Sequence, residues 1–445
     1  MGIAVLLAAA SYAQNRCAQD ELQAKIREAH PQWEQAMQKE RQNYLQNIAA
    51  RQETQTAQKT TATVTIPVVF HIVLNQTQLT AIGGAAGVAL RVDSQMAVLN
   101  RDYNGQSIDK ATIPAVFQPL YGNVQIQFGL AHTKPDGTGT DGYEIITTSQ
   151  SSFSASTGTM GSTFAASDAK YKASGGADAW DPDRYLNIWV VNFTENGLLG
   201  ISPPMSWTLG IGGFTLPKVE VGPAINYRAF GKAGPGQTFF LPGYNGGRTL
   251  VHEMGHFFEM AHIWGNTQPG SGSCSDDDGI SDTPVQEDAN SGCPSFPKAN
   301  CTNATGGEMF MNFMDYVTDA CYRMFTQQQA NVMNFSAGDP SGYAYSLSQH
   351  SYLLQWPTAV KNILNENAFH VFPNPSQGIF RISIAEQALR KIVITNTLGQ
   401  TVKVIGITDK QVKNYDVDLT GMSKGIYQVQ CIFAGGTLTK KIALQ

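Results

Sequence analysis

The sequence has few charged residues and no strongly basic region. Charged side chains make up 15% of the 445 residues, and the formal net charge is −5. A nucleic-acid-binding surface needs concentrated positive charge, so we expect no nucleic-acid partner. Apolar residues amount to 42%, which supplies a large core and argues against general disorder. The length predicts two or three folded units.

Long apolar runs are missing as well. Beyond a short run at residues 2–10, no stretch is apolar for long enough to span a bilayer, so we expect no transmembrane segment. The sequence Ser11-Tyr12-Ala13 resembles a small-residue cleavage site, and we interpret residues 1–13 as a signal peptide. A buried helix end is the alternative. The usual basic region before the apolar run is missing, which suggests that the natural start lies upstream.

Cysteine is scarce, and its positions are uneven. Four of the six cysteines lie between residues 274 and 321. Two disulfides among these four are the natural interpretation for an exported protein. A second zinc site is the alternative, but the spacing offers no paired CxxC motif. The six cysteines are Cys17, Cys274, Cys293, Cys301, Cys321 and Cys431.

The central part of the chain alternates strand-like and helix-like segments. Residues 18–59 are rich in Gln, Glu, Lys and Ala, and they predict one or two exposed helices broken near Pro31. A mixed α/β (α+β) domain follows over residues 63–345. Its clearest predicted elements are strands at 63–75, 124–131 and 185–193 and a helix at 88–99, with loops over 133–176 and 194–247.

The end of the chain has a different pattern. We interpret residues 346–368 as a linker. From residue 369 to 445 the chain shows short strands separated by turns, which predicts a small β-sandwich.

One motif carries specific chemistry. In TLVHEMGHFFEMAHIWG, at residues 249–265, His252 and His256 are four apart and share one face of a helix. Glu253 lies beside the first histidine, where it can take a proton from a water activated by zinc. His262 is a third ligand if the chain turns back after the helix. Ordinary helix residues are the alternative, but three of only eight histidines fall within eleven residues.

The pattern HExxHxxxxxH resembles the signature of the metzincins. The segment Asn312-Phe313-Met314-Asp315-Tyr316 resembles the Met-turn of their pappalysin family. The similarity covers roughly residues 64–335 and includes IPVVFHIV, SDTP and DACYRMFT. It implies a zinc metalloendopeptidase in which Met314 lies beneath the metal. It also implies that Tyr316 hydrogen-bonds the oxyanion formed at the scissile carbonyl.

One position departs from the family pattern. Metzincins usually have glycine three residues after the second histidine, where this chain has Glu259. The glycine allows a positive φ as the chain turns toward the third ligand. A side chain there costs roughly 1–2 kcal/mol, which is small beside the roughly 10 kcal/mol of a structural zinc site. We therefore keep His262 as a ligand.

The resemblance also implies features of the loop after the motif. It favours the disulfides Cys274–Cys301 and Cys293–Cys321. In the acidic segment SDDDGISDTP it implies a calcium site formed by Asp278, the carbonyl of Ser281, and Thr283. A solvated acidic loop is the alternative, and the segment is not an EF-hand.

Two further residues have roles that the resemblance implies. Asp319 follows Met314 by five residues and lies in the segment that lines the specificity pocket, where it favours a basic residue after the scissile bond. Capping of the next turn is the alternative. Cys17, in an inhibitory pro-segment over residues 14–62, is a candidate thiolate ligand that blocks the zinc. An unpaired cysteine in a leader is the alternative.

The C-terminal residues resemble a type IX (Por) secretion-system sorting domain. The matching points include Phe372-Pro373-Asn374-Pro375, Gly425-Ile426-Tyr427 and Lys440-Lys441. The alternative is an adhesive or carbohydrate-binding sandwich. The whole sequence predicts an exported zymogen of a zinc endopeptidase, with protein or peptide substrates and the type IX machinery as partners. A catalytically inactive metzincin used as a surface adhesin is the rival function.

Overall fold

The computed structural model describes most of the chain. The signal peptide expected at residues 1–13 lies outside the described residues, as do parts of the expected linkers. The described ranges are 16–54, 63–107, 109–155, 167–234, 237–298, 301, 306–357, 368–385, 389–397, 399–407, 412–433 and 436–445.

Two helices begin the described chain. Helix α1 spans Gln19–Ala29 and helix α2 spans Trp33–Thr54, with the break at Pro31 that the sequence predicts. The expectation that these helices are exposed holds for most of α2 but was wrong for the inner face of α1. Leu22 and Ile26 are fully buried, because residues four apart on a helix form one apolar stripe that packs inward. Trp33 is buried as well, with its ring edge-on to Trp207 at 5.4 Å between centroids.

The central sheet is built around one long buried strand. Strand β1 (Val64–Leu74) pairs in parallel with β2 (Ile126–Leu130), β3 (Tyr143–Thr147) and β4 (Leu186–Val191). Strand β6 (Ala224–Asn226) continues the sheet beside β4, and the two-residue strand β5 (Gly200–Ile201) pairs antiparallel to β6. The strand order β2-β1-β4-β6-β5 leaves β5 at the edge.

The sheet confirms the expected mixed α/β class and the three predicted strands. Strands β3, β5 and β6 lie within the ranges expected to be loops, because each is too short to show a period in the sequence. The remaining helices are α3 (Gln76–Ala81), α4 (Gly84–Tyr103), α5 (Arg248–Phe257), α6 (Gln327–Gly338) and α7 (Tyr345–Ser348). Short 3-10 turns lie at Lys110–Thr112, Gln118–Leu120, Ser167–Lys170, Lys172–Ser174, Met205–Leu209, Lys218–Glu220 and Ser351–Leu354.

Two disulfides fasten the long loop between α5 and α6. Cys274 bonds to Cys301, and Cys293 bonds to Cys321. The pairing implied by the family resemblance is therefore confirmed. Cys17 and Cys431 are the free cysteines of the described chain, and both are buried.

The C-terminal strands form two antiparallel sheets around a common apolar core. The strands are β7 (Phe369–Phe372), β8 (Ile379–Ile384), β9 (Leu389–Asn396), β10 (Thr401–Gly406), β11 (Asn414–Asp418), β12 (Gly425–Phe433) and β13 (Gly436–Leu444). One sheet has the order β10-β9-β12-β13 and the other β11-β8-β7. This arrangement confirms the expected small sandwich.

The chain divides into two compact units. Of the described residues, one unit comprises those within 16–82, 91–130 and 143–351, and the other those within 83–90, 131–142 and 352–445. In the second unit the His132 ring stacks on Trp356 at 4.5 Å, and the His132 N–H donates to the carbonyl of Leu353. Within the described residues no helix is both long and apolar enough to cross a membrane.

Candidate metal centre and active site

Helix α5 presents two histidines to one point. His252 and His256 lie one turn apart and are buried, with 4% and 1% of their surfaces exposed. The helix ends at Phe257, and Phe258 is its C-cap. The N–H of Glu259 then donates to the carbonyl of His256, and the N–H of Met260 donates to that of Gly255. This pair of bonds is a Schellman motif, whose turning residue adopts the left-handed conformation.

Glu259 is that turning residue, with φ at 77°. The positive φ expected at residue 259, where the family usually has glycine, is therefore confirmed. The carboxylate of Glu259 is buried and accepts a 2.9 Å hydrogen bond from the Ser206 N–H. Burial raises the pKa of Glu259 to about 7. The turn reverses the chain and brings His262 back beside the helix.

The three histidines converge through the same ring nitrogen. The Nε2 atom of His256 lies 3.1 Å from Nε2 of His252 and 3.1 Å from Nε2 of His262. Cys17 joins this group, whose ligand atoms all lie within 4.8 Å of one another. Two ligands about 2.1 Å from a zinc ion in tetrahedral geometry are separated by about 3.4 Å. The observed spacing is close to that value.

The opposite ring nitrogens fix the tautomers. Nδ1 of His252 donates to the carbonyl of Phe313 at 2.7 Å, and Nδ1 of His256 donates to that of Met260 at 2.8 Å. A carbonyl only accepts, so the proton lies on Nδ1 and each Nε2 carries a lone pair. Lone pairs that face each other without a shared proton are the donor set of a cation. The described residues therefore fit zinc.

The electrostatics favour neutral imidazoles. Burial lowers the pKa of His252 to about 3, with a further contribution from His262, and it lowers that of His256 well below its ordinary value. Neutral imidazole is the form that binds metal. Burial also raises the pKa of the Cys17 thiol, and the nearby Glu253 adds to this effect. A cation at the centre offsets both contributions by stabilising the thiolate.

Glu253 points toward the same centre. Its Oε2 lies 3.5 Å from the Cys17 sulfur, and its side chain is 1% exposed. Burial raises the pKa of Glu253 well above its ordinary value. Edge strand β5 approaches closely at Gly200, where a Cβ atom would lie 2.4 Å from Glu253 Oε1. Gly200 thus leaves the space that the carboxylate occupies.

Tyr316 and Met314 flank the histidines. The Tyr316 ring lies 4.9 Å from that of His262, and its hydroxyl donates a 3.0 Å hydrogen bond to the Cys17 carbonyl. Met314 is fully buried. A Cβ atom on Gly255, between the two helical histidines, would lie 2.4 Å from the Met314 sulfur. The methionine therefore packs directly against the helix that carries the ligands.

The N-terminal segment crosses this centre along the edge of the sheet. Leu199 and Gly200 donate backbone hydrogen bonds to the carbonyl of Arg16, and Ala18 donates to the carbonyl of Gly200. Cys17 forms a parallel bridge with Gly200. The segment thus pairs with the edge of the sheet at β5, where an extended peptide could otherwise pair.

A crevice beside Glu253 holds the Arg16 side chain. Its guanidinium lies over the Tyr244 ring at 5.0 Å and donates to the Tyr316 carbonyl. Both Arg16 and Asp319 act electrostatically on the pKa of Tyr244, which Arg16 lowers and Asp319 raises. Asp319 is buried, and its Oδ2 accepts from the Gly246 N–H at 2.6 Å, while no described atom bonds its Oδ1. Burial raises the pKa of Asp319 to about 6.

The acidic loop has one buried carboxylate. Asp278 Oδ1 accepts from the Ile280 N–H at 2.9 Å and from the Thr283 hydroxyl at 2.7 Å. Its Oδ2 is buried with no partner among the described residues, and burial raises the pKa of Asp278 to about 7. Ser281 is exposed. Among the described residues the acidic side chains form no cluster of three, so a cation here needs backbone carbonyls.

Several residues at the centre were not found by sequence reasoning. Asp20 accepts a 2.9 Å hydrogen bond from Nδ1 of His262, and Arg41 of α2 donates to the Glu259 carbonyl at 2.6 Å. Gly200 was not found either. Only Asp20 has a local signal, because it follows Cys17 by three residues at the start of a helix.

Comparisons with known proteins agree with this geometry. The model of the pregnancy-associated plasma protein-A family, peptidase M43, matches residues 237–336, and the secretion system C-terminal sorting domain matches residues 370–445. Mirolysin, solved in complex with a compound, is 36% identical with a TM-score of 0.56. That match covers 66% of this chain and 99% of mirolysin. The chain belongs to the pappalysin family of metallopeptidases.

Other similar proteins extend the comparison. A promirolysin variant from Tannerella forsythia is 32% identical, with a TM-score of 0.60, over 76% of this chain and 98% of that one. An extracellular metalloprotease of Arthroderma benhamiae is 34% identical over 151 residues, which is 33% of this chain and 48% of that protein. One from Colletotrichum graminicola is 42% identical over 90 residues, or 20% and 30%. The chain thus matches less than half the length of these curated relatives.

The two matches assign the chain to an exported class. The pappalysin match identifies a metalloprotease. The sorting domain identifies a secreted or cell-surface protein.

Proposed function

We propose that this chain is the zymogen of an exported zinc endopeptidase. The observation that carries the proposal is the convergence of three Nε2 lone pairs, from His252, His256 and His262, beside the buried carboxylate of Glu253. Zinc, when bound by these histidines, supplies a Lewis acid that polarises a carbonyl and acidifies water.

The chain's own residues then divide the work of peptide hydrolysis. Glu253 accepts a proton from the attacking water and returns it to the leaving amine. Burial raises the pKa of Glu253 above its ordinary value, which makes the carboxylate a stronger base toward water. The Tyr316 hydroxyl donates to the oxygen of the tetrahedral intermediate. Met314 holds helix α5 against the floor of the site, which keeps the histidines aligned.

Latency follows from the N-terminal segment. The Cys17 sulfur lies in the same ligand group as the histidines, so a thiolate there fills the position that a water needs. The backbone bonds to β5 fill the edge that would pair with a substrate. Removal of residues 14–62 frees both.

Substrate choice is proposed to rest on Asp319. Its carboxylate lies near the Tyr244 side of the crevice that Arg16 occupies, and its Oδ1 has no described partner. Arg16 shows that a guanidinium fits this crevice. We therefore expect cleavage before basic residues, since a buried carboxylate pairs strongly with guanidinium.

A calcium ion is proposed for the acidic loop. Asp278 Oδ2 is buried without a described partner, and a hard cation satisfies such an oxygen. The carbonyl of Ser281 and Thr283 are the proposed further ligands. The type IX secretion machinery is the proposed partner of residues 369–445.

The rival function is an inactive metzincin that acts as an adhesin. Glu253 and Tyr316 argue against it, because a binding protein needs neither. The decisive experiment is to process the full-length chain and incubate it with a protein substrate. Zinc-dependent appearance of new peptide termini by mass spectrometry supports the endopeptidase. Absence of cleavage by a processed, zinc-loaded chain would favour the adhesin.

A further inference from the structure

The three histidines proposed as zinc ligands differ in which part of the chain accepts the hydrogen bond from Nδ1. Nδ1 of His252 and Nδ1 of His256 donate to carbonyls of Phe313 and Met260, which belong to the metallopeptidase domain itself. Nδ1 of His262 donates instead to Asp20, a residue of the removable segment, at 2.9 Å. The third ligand is therefore the one whose orientation depends on a part of the chain that processing takes away.

Asp20 is placed for this contact by the start of helix α1. It lies in the first turn of the helix, three residues after Cys17, so the two side chains reach the same centre. Its surface is 3% exposed. A carboxylate bonded to a ligating histidine fixes the ring and increases the basicity of its other nitrogen. Asp20 Oδ2 has no hydrogen-bond partner among the described residues. The hydrogen bond from His262 is therefore the side-chain contact that the Asp20 carboxylate makes there.

A second contact holds the other end of the same turn. Arg41 donates from one guanidinium nitrogen to the Glu259 carbonyl and from another to the Asp278 carbonyl, each at 2.6 Å. Glu259 has the positive φ that a glycine would adopt without strain. The segment therefore contacts the turn at residue 259 and the ligand at residue 262, where helix α5 has already ended.

We propose that the pro-segment retains the metal as well as blocking it, with Asp20 as the positioning residue for His262 and Arg41 as its support. The inference rests on the proposed role of His262 as a zinc ligand. It means that the zymogen holds zinc more tightly than the ligand set of three histidines and Cys17 accounts for. Processing then removes a ligand, a carboxylate partner and a backbone clamp together.

Zinc release from the full-length chain tests the proposal. All proteins carry Glu253→Ala so that the chain stays unprocessed, and zinc transfer to a chromophoric chelator is followed with time. We expect Asp20→Ala to release zinc about 10- to 100-fold faster than the parent, the usual effect of removing such a partner. Asp20→Asn keeps an accepting oxygen and should recover part of the loss. Glu21→Gln, on the same turn but paired with Lys25, is the matched control.

Cobalt substitution separates positioning from unfolding. In Asp20→Ala loaded with Co²⁺, the thiolate-to-cobalt charge-transfer absorption of Cys17 should remain while the ligand-field bands shift. Arg41→Ala should accelerate zinc release by a smaller factor than Asp20→Ala.

The outcomes are distinct. A parent chain that binds no zinc would overturn the proposed function and this inference with it. A parent that binds zinc, together with Asp20→Ala and Asp20→Asn variants that release it at the parent rate while Cys17→Ala releases it faster, would overturn this inference alone.

Discussion

The hydroxyl of Tyr316 donates a 3.0 Å hydrogen bond to the backbone carbonyl of Cys17. A carbonyl of the pro-segment thus engages the donor that we assign to the substrate oxyanion. The Cys17 sulfur also lies 3.5 Å from the Glu253 carboxylate. One residue of the pro-segment, Cys17, therefore contacts both proposed catalytic groups, Tyr316 and Glu253. Latency in this arrangement comes from occupation of a formed site, not from distortion of it.

Replacing Glu253 tests the general base. Glu253→Ala in the processed enzyme should lower kcat by about 10²–10⁴-fold or more, because proton transfer loses its positioned acceptor. Bound zinc, measured by elemental analysis, should stay at the parent level, since the histidines are unchanged. Glu287→Ala on an exposed loop is the control. Near-parent turnover in a folded Glu253→Ala would exclude this role.

Replacing Cys17 tests the switch. Cys17→Ala in the full-length precursor should process itself faster than the parent, because the segment loses its bond to the metal while keeping its backbone bonds to β5. The time course is followed by gel and by N-terminal sequencing. Cys431→Ala, the other buried free cysteine, is the control. Identical time courses with normal latency would rule the switch out.

The pocket carboxylate makes selectivity depend on pH. The pKa of Asp319 is raised to about 6, so the group is charged above that pH and becomes neutral as the pH falls through it. The ratio of kcat/KM for arginine over glutamine after the scissile bond should therefore be high at pH 8 and fall toward pH 5. Asp319→Asn should show a low ratio at both values, whereas the exposed Asp183→Asn should match the parent. A ratio that Asp319→Asn leaves unchanged would contradict the assignment.

Calcium should stabilise the loop through Asp278. Added Ca²⁺ is expected to raise the Tm of the parent, because binding to the folded state alone shifts the unfolding equilibrium. Asp278→Ala should lose this response, and Asp277→Asn, which is exposed, should keep it. Calorimetry with and without Ca²⁺ gives the answer. A parent Tm that does not respond to Ca²⁺ would dismiss the site.

The sorting domain should be dispensable for catalysis. A chain ending after residue 357 should keep peptidase activity but remain in the periplasm of the native cell. A chain ending after residue 345 should have a lower Tm, since it loses the buried Leu347 and Leu353. Each buried leucine contributes about 1.5–3 kcal/mol. Loss of activity in a folded chain of 357 residues would contradict the prediction that residues 369–445 are dispensable for catalysis.

The metal motif could be predicted because its information is local. His252 and His256 need only a helix to meet, and a left-handed residue at position 259 is enough to return His262. Strand β1 could also be predicted, because its eleven residues form an almost continuous run of β-branched and apolar residues.

The support of the centre could not be predicted, because it joins distant parts of the chain. Asp20 meets His262 across 242 residues, and Arg41 meets Glu259 across 218. No spacing or composition signals such a contact. The burial of one side of α1 and α2 was missed for a related reason. Their polar composition concealed a narrow apolar stripe, and the surface that buries it is supplied from elsewhere in the chain.

The two disulfides alternate along the chain, since Cys293 lies between Cys274 and Cys301, and Cys301 lies between Cys293 and Cys321. Each closes a loop of similar length, with separations of 27 and 28 residues, and such a loop contributes about 3–4 kcal/mol in the chain-entropy model. Thiols stay reduced in the cytosol and pair in oxidising compartments. The loop that leads to Tyr316 is therefore covalently closed only once the chain reaches an oxidising compartment.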